Sequence, residues 1–79
     1  MNKFQLLTVL IRQALASNLK FRLPTTGAHP VWMVDDQGSW SVSLKVETVS
    51  GSTREFRSEG IHLNPDDAGV DLVTRINRA

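Results

Sequence analysis

The strongest constraint on the fold is a run of strict alternation between apolar and polar side chains over residues 39–49. Trp40, Val42, Leu44 and Val46 share one side of this run, and Ser41, Ser43, Lys45 and Glu47 share the other. A period of two is typical of a β-strand with one buried face. Turn-forming sequences flank the run at 35–38 and 50–52, so the neighbouring segments 31–34 and 53–58 are predicted to pair with it in antiparallel hairpins.

A further strand is predicted over residues 19–23, because this segment also alternates. Leu19, Phe21 and Leu23 should face the core, and Pro24 ends the strand. A loop, residues 25–30, is expected to lead into the next strand. After the last strand, Gly60 breaks the extended chain, and the apolar residues Ile61 and Leu63 are predicted to pack under the edge of the sheet.

Two helices are predicted at the ends of the chain. Residues 3–17 place Phe4, Leu7, Leu10, Ile11, Ala14 and Leu15 on one side at helical spacing. Residues 64–67 have the sequence of a helix start, with a capping Asn, a Pro in the first turn and two acidic residues, and the helix should reach about residue 77. The predicted fold is an α+β two-layer sandwich in the order α-β-β-β-β-α, with an antiparallel sheet and both helices on one face. Residues 1–79 are expected to form a single domain.

Composition restricts the classes of function. The chain has no cysteine, which excludes disulfides and cysteine-bound metals and favours a cytoplasmic protein. Nine Lys and Arg side chains nearly balance eight Asp and Glu, so no global charge draws the protein to nucleic acid or to anionic lipid. No apolar stretch is long enough to span a membrane, and no membrane partner is expected.

Catalytic chemistry is not indicated by any motif. His29 and His62 stand far apart without metal-ligand spacing, and the acidic pairs at 35–36 and 66–67 are explained by a turn and by a helix start. No serine lies in a nucleophile motif, and no glycine-rich phosphate loop is present. We therefore expect no catalytic, cofactor-binding or metal-binding residues, no cofactor, no small-molecule substrate, and a function other than that of an enzyme.

Apolar residues beyond the needs of a small core suggest a protein partner. Leu6 and Val9 flank the apolar stripe of the first helix and widen it. Such surplus either wraps into the core or meets a partner. Trp32 is a further candidate anchor for a protein, although its position in a strand is equally consistent with core packing. These residues favour a protein–protein interaction module that associates with itself, most simply as a homodimer.

The alternative is a small nucleic-acid-binding or regulatory protein. Lys20, Arg22, Lys45 and Arg57 all fall on the polar side of their predicted strands, where they would form a basic sheet face able to follow a phosphate backbone. Against this interpretation, Glu47 and Glu55 fall on the same side and would offset the charge.

Several short segments resemble a small family of uncharacterised proteins from pseudomonads and their relatives. The shared pieces are Arg12-Gln13 in the first helix, Gly38-Ser39 at the start of the alternating strand, Gly60-Ile61 after the next strand, and Asp71-Leu72-Val73 with Ile76 in the last helix. The resemblance implies a bacterial source and a fold of a helix, a sheet and a closing helix. It implies no activity.

Overall fold

The computed structural model describes residues 1–23 and 29–79, and it confirms the predicted order of elements. The elements are α1 (Lys3–Ala16), β1 (Phe21–Arg22), β2 (Val31–Val34), β3 (Trp40–Thr48), β4 (Thr53–Arg57) and α2 (Pro65–Arg78). All strand pairs are antiparallel, and the helices cover one face of the sheet, as the sequence predicts. The predicted loop at 25–30 falls largely on residues 24–28, which lie outside the described part of the chain.

The longest strand, β3, pairs with every other strand. Its residues 43–47 pair with β4, whereas residues 40–43 pair with β2 and residues 47–48 pair with β1. Residue 43 pairs with both β2 and β4, and residue 47 pairs with both β1 and β4. Because a strand has only two edges, β4 must occupy one edge of β3 alone. The other edge is shared by β1 and β2, which lie end to end and run in the same direction.

The core lies between the helices and the apolar face of β3. The largest side chains with almost no exposure come from both layers: Ile11, Val42, Leu44, Val46, Leu72 and Ile76. Phe21 and Phe56 meet edge to face at 5.1 Å, and the guanidinium of Arg54 covers the Phe56 ring at 4.8 Å. Among residues 1–23 and 29–79, no helix lies on the opposite face of the sheet, which we call the open face.

Three predicted core positions are wrong. Leu19 is 88% exposed because Asn18 closes a turn there, accepting the Lys20 N–H on its side chain and the Phe21 N–H on its carbonyl. The strand is therefore only two residues long. Ile61 and Leu63 are 82% and 75% exposed. In this segment the backbone of His62 is bound to β3, its carbonyl accepting the Trp40 N–H at 2.7 Å, and the flanking side chains point outward.

The two helices lie side by side and run parallel. At their starts, the Lys3 ammonium lies 3.3 Å from the Asp66 carboxylate. At their ends, the Asn18 side chain donates to the carbonyls of Ile76 and Ala79. Between these points Gly69 allows a close approach, because a Cβ at this position would lie only 3.1 Å from Leu7 Cδ2.

Both helices begin with a side-chain cap. Asn64 accepts the Asp67 N–H, as the sequence predicts. Asn2 forms a capping box with Gln5, in which each side chain accepts the other residue's backbone N–H at 2.9 Å. Such caps satisfy donors that the first helical turn leaves without partners. They therefore fix where each helix starts.

Candidate interaction surfaces

An apolar groove runs between the two helices on the side away from the sheet. It has a volume of about 380 Å³. Leu7, Leu10, Gln13, Ala14 and Ser17 of α1 line it, together with Gly69, Val70, Val73, Thr74 and Asn77 of α2. Leu7 and Gly69 both line the groove, and a Cβ added at Gly69 would lie 3.1 Å from Leu7 Cδ2.

Exposed apolar side chains border this groove on both helices. Leu10 is 43% exposed and Val70 is 60% exposed, and Leu6 lies one helical turn before Leu10 with 52% of its surface exposed. Val9 is also exposed, but at 100° per residue it lies farther around α1 from the groove. We call Leu6, Leu10, Val70 and the groove between them the helical surface.

Trp32 is partly buried and packs against the core. It lies opposite the buried Val42 in the β2–β3 ladder and meets the ring of Phe4 edge to face at 5.3 Å. A Cβ atom added at Gly69 would lie 3.3 Å from Trp32 Cη2. Of the three candidate interface residues, Leu6 and Val9 are thus exposed, whereas Trp32 supports the helices.

The open face of the sheet brings together three of the four candidate nucleic-acid residues. Each has a carboxylate neighbour: Arg22 is 3.4 Å from Glu47, Arg57 is 3.3 Å from Glu55, and Lys45 lies directly opposite Glu55. These pairs offset much of the positive charge.

Lys20 is not part of this group. Its ammonium lies 3.4 Å from the carbonyl oxygen of Ala79, at the end of α2. A cation at a helix C-terminus meets the negative end of the helix dipole, so this position has a structural explanation.

Asp71 links α2 to the segment that follows β4. Its Oδ2 accepts the Arg75 Nε–H at 2.7 Å and the Glu59 N–H at 2.9 Å, and Arg75 also lies 3.3 Å from the Glu59 carboxylate. Partial burial by itself would raise the pKa of Asp71. The two hydrogen bonds and the charges of Arg75 and His62 together outweigh it, so the pKa lies below its ordinary value of 3.8.

Replacing Asp71 with asparagine is expected to lower the free energy of unfolding by about 1 kcal/mol at neutral pH, since a hydrogen-bonded ion pair at a partly exposed site is lost. The folded-state pKa is lowered, so the carboxylate stabilises the fold above the unfolded-state pKa and this contribution disappears as the pH falls through the folded-state value. Urea unfolding at several pH values should show a difference at pH 5 and above that shrinks below about pH 4. A difference that does not change down to pH 2 would contradict this role.

The histidines are placed apart, and each has a local partner. A side-chain nitrogen of Arg12 lies 3.0 Å from His29 Nδ1, and His62 Nε2 lies 2.7 Å from the Glu59 carbonyl oxygen. In residues 1–23 and 29–79, no three His, Asp or Glu side chains converge as metal ligands would. Within the same ranges, neither helix is long and apolar enough to cross a bilayer.

Comparison with known proteins adds no functional information to this geometry. No family model, curated protein or solved structure matches the chain. The resemblance to the pseudomonad proteins stays a prediction, and the functional argument depends on the surfaces themselves.

Sequence reasoning identified only part of these surfaces. The helical spacing predicts Leu10 as part of the apolar stripe of α1 and does not indicate Val70, yet both border the groove. The missing signal is the parallel pairing of the helices, which brings Val70 and Leu10 to one groove. An isolated Gly inside a helix, such as Gly69, is a sequence signal for a packing contact with another element.

Proposed function

We propose that this protein is a non-enzymatic, cytoplasmic protein–protein interaction module that associates with copies of itself. The helical surface is the observation that supports the proposal. It combines exposed leucine and valine side chains from two separate helices with an apolar groove between them. Contiguous apolar surface of this kind is typical of sites that bind another protein, unlike single exposed leucines.

The small size of the chain gives this surface an energetic role. A domain of about 80 residues buries only about 60–65% of the surface that its unfolded chain exposes, and its core alone gives little net stability. Without disulfides, burial against another copy is an available source of further stabilisation. Side chains such as Leu6 and Val70 would contribute about 1–2 kcal/mol each if they became buried in such a contact.

Replacing both Leu6 and Val70 with glutamate should weaken self-association, because each copy would bring two charges into the apolar contact. We expect the molar mass measured by light scattering during size-exclusion chromatography to fall by about half at micromolar concentrations. Both side chains are exposed, so the circular dichroism spectrum should not change.

The matched control is Val49→Glu, which adds a charge at an exposed valine beyond the end of β3, outside the helical surface. This variant should keep the wild-type mass. A wild-type protein that is monomeric across micromolar concentrations would contradict self-association. A double variant with unchanged mass would exclude the helical surface as its site.

Binding to nucleic acid through the open sheet face is the weaker alternative, because Arg22 and Arg57 are each paired with a glutamate. Retention on a heparin column that falls steeply with salt, and that is lost in a variant with Arg22 and Arg57 changed to glutamine, would support it. Elution of the wild-type protein at low salt would exclude nucleic-acid binding through this face.

A further inference from the structure

The outer side of β2 carries backbone hydrogen-bonding groups that point away from the sheet. The Asp35 N–H donates to the Ser39 carbonyl. Hydrogen-bonded pairs alternate with non-bonded pairs along an antiparallel ladder. In the β2–β3 register, residue 33 is therefore hydrogen-bonded to residue 41, and residue 31 to residue 43. The backbone groups of Trp40 and Val42 confirm this, since they bind His62 and Ser58 on the other edge of β3. Trp32 and Val34 therefore direct their N–H and C=O groups outward.

Within the described part of the chain, this edge lacks the features that usually protect an exposed strand. Among the residues that the structure describes, no backbone group binds Trp32 or Val34 from outside. The four residues of β2 are all apolar, and Val31, Met33 and Val34 are exposed. On the far side of the sheet, β4 carries Arg54, Glu55 and Arg57 on its five residues. Charged side chains disfavour pairing with a strand of another chain, so β4 is protected in this way and β2 is not.

We propose that β2 pairs antiparallel with β2 of a second copy, which joins two sheets into one. If Trp32 lies opposite Val34 of the second copy, each outward N–H on either copy meets an outward C=O of the other, and no group is left over. The two-fold axis then passes between the two Met33 residues, so the contact is self-complementary and closed. This contact deepens the proposed self-association by adding a site separate from the helical surface.

Charge and shape around the edge favour a second copy as the occupant. In this register, residue 36 of one copy lies opposite residue 30 of the other. The acidic turn that contains Asp35 and Asp36 would therefore approach the Arg12–His29 pair. Val34 of the second copy would lie on the same face as Trp32, beside a pocket of about 300 Å³ that Phe4, Pro30 and Trp32 line. An acidic turn thus meets a basic pair, and an apolar side chain meets an apolar pocket.

Amide hydrogen exchange tests the pairing at single residues. The N–H groups of Trp32 and Val34 should exchange at least about tenfold more slowly near millimolar concentration than at low micromolar concentration, because only the second copy protects them. Met33 is the internal control, since its N–H binds Ser41 within one copy and should show a much smaller change. Equal rates at both concentrations for Trp32 and Val34 would overturn the proposal.

Substitutions separate this contact from the helical surface. Val34→Lys places a charge on the edge and should lower the mass by about half, whether introduced into the wild type or into the Leu6→Glu, Val70→Glu variant. Val49→Lys is the matched control and should have no effect. If Val34→Lys leaves the mass unchanged while the helical variant lowers it, the edge contact is wrong and self-association through the helices stands. If only Val34→Lys lowers the mass, the edge contact stands and the helical surface is wrong.

Discussion

Replacing Leu72 with alanine is expected to lower the free energy of unfolding by about 3–4 kcal/mol, within the range of about 2–5 kcal/mol seen for buried leucines. Leu72 has no exposed surface and lies in the layer where α2 packs on the sheet. The cavity left behind cannot collapse easily, because Leu44 on β3 and Ile76 on α2 are held by a sheet ladder and a helix. A chain of this size has a total of roughly 4–12 kcal/mol, so much of its stability would be lost.

Urea unfolding followed by circular dichroism measures this loss. Val49→Ala is the control, since Val49 is 73% exposed and lies outside the helical surface, and its change should stay within about 0.5 kcal/mol. A Leu72→Ala protein whose free energy of unfolding lies within about 1 kcal/mol of the wild type would mean that α2 does not pack on β3 as described.

Replacing Gly69 with leucine is expected to destabilise the protein by about 1–3 kcal/mol, although leucine is a better helix former than glycine. A Cβ at residue 69 would lie 3.1 Å from Leu7 Cδ2 and 3.3 Å from Trp32 Cη2, so even the first added carbon is crowded. The rest of a leucine side chain would have to push α1 away from α2 or displace the Trp32 ring. Thermal unfolding should therefore begin at a clearly lower temperature.

Gly69→Ala separates the steric effect from the helix preference. Alanine gains about 1 kcal/mol of helix propensity and requires a shift of only a few tenths of an ångström in the ends of Leu7 and Trp32, so this variant should remain close to the wild type. If leucine and alanine gave equal stability, the close approach of the helices at Gly69 would be refuted.

The elements of the fold were predictable because local patterns specify them. Alternation over residues 39–49 predicts β3, and the turns on both sides contain Gly38 and Gly51 with positive φ angles of 80° and 92°. The Asn64 cap and Pro65 give the start of α2. The Asn2–Gln5 capping box is equally visible in the sequence as Asn-x-x-Gln.

What could not be predicted depends on contacts between distant segments. Alternation at residues 19–23 shows which side chains could share a face, but not that Asn18 closes a turn that turns Leu19 outward. Ile61 and Leu63 are exposed because the backbone of His62 binds Trp40 more than twenty residues away.

The candidate surfaces follow the same division. The sequence indicated Leu6 and Val9 from helical spacing alone, whereas the role of Val70 requires the parallel pairing of the helices. The exposed edge at β2 can be predicted only when the strand order is known, because apolar residues 31–34 in a central strand would have no free edge for another chain to pair with. The alternation places Lys20 on the basic face, but its ammonium lies 3.4 Å from the carbonyl oxygen of Ala79 at the end of α2.

The parallel helices decide how the protein should be tagged for any of these measurements. Asn2 and Phe4 line the pocket beside Trp32, so an affinity tag or fluorescent protein fused before Met1 would crowd the β2 edge. Ala79 lies by Asn18 at the opposite end of the helix layer, about 20 Å away for helices of 14 residues. A fusion after Ala79 leaves the strand edge open, and a pair of otherwise identical fusions at the two termini would report the location of the contact without any substitution.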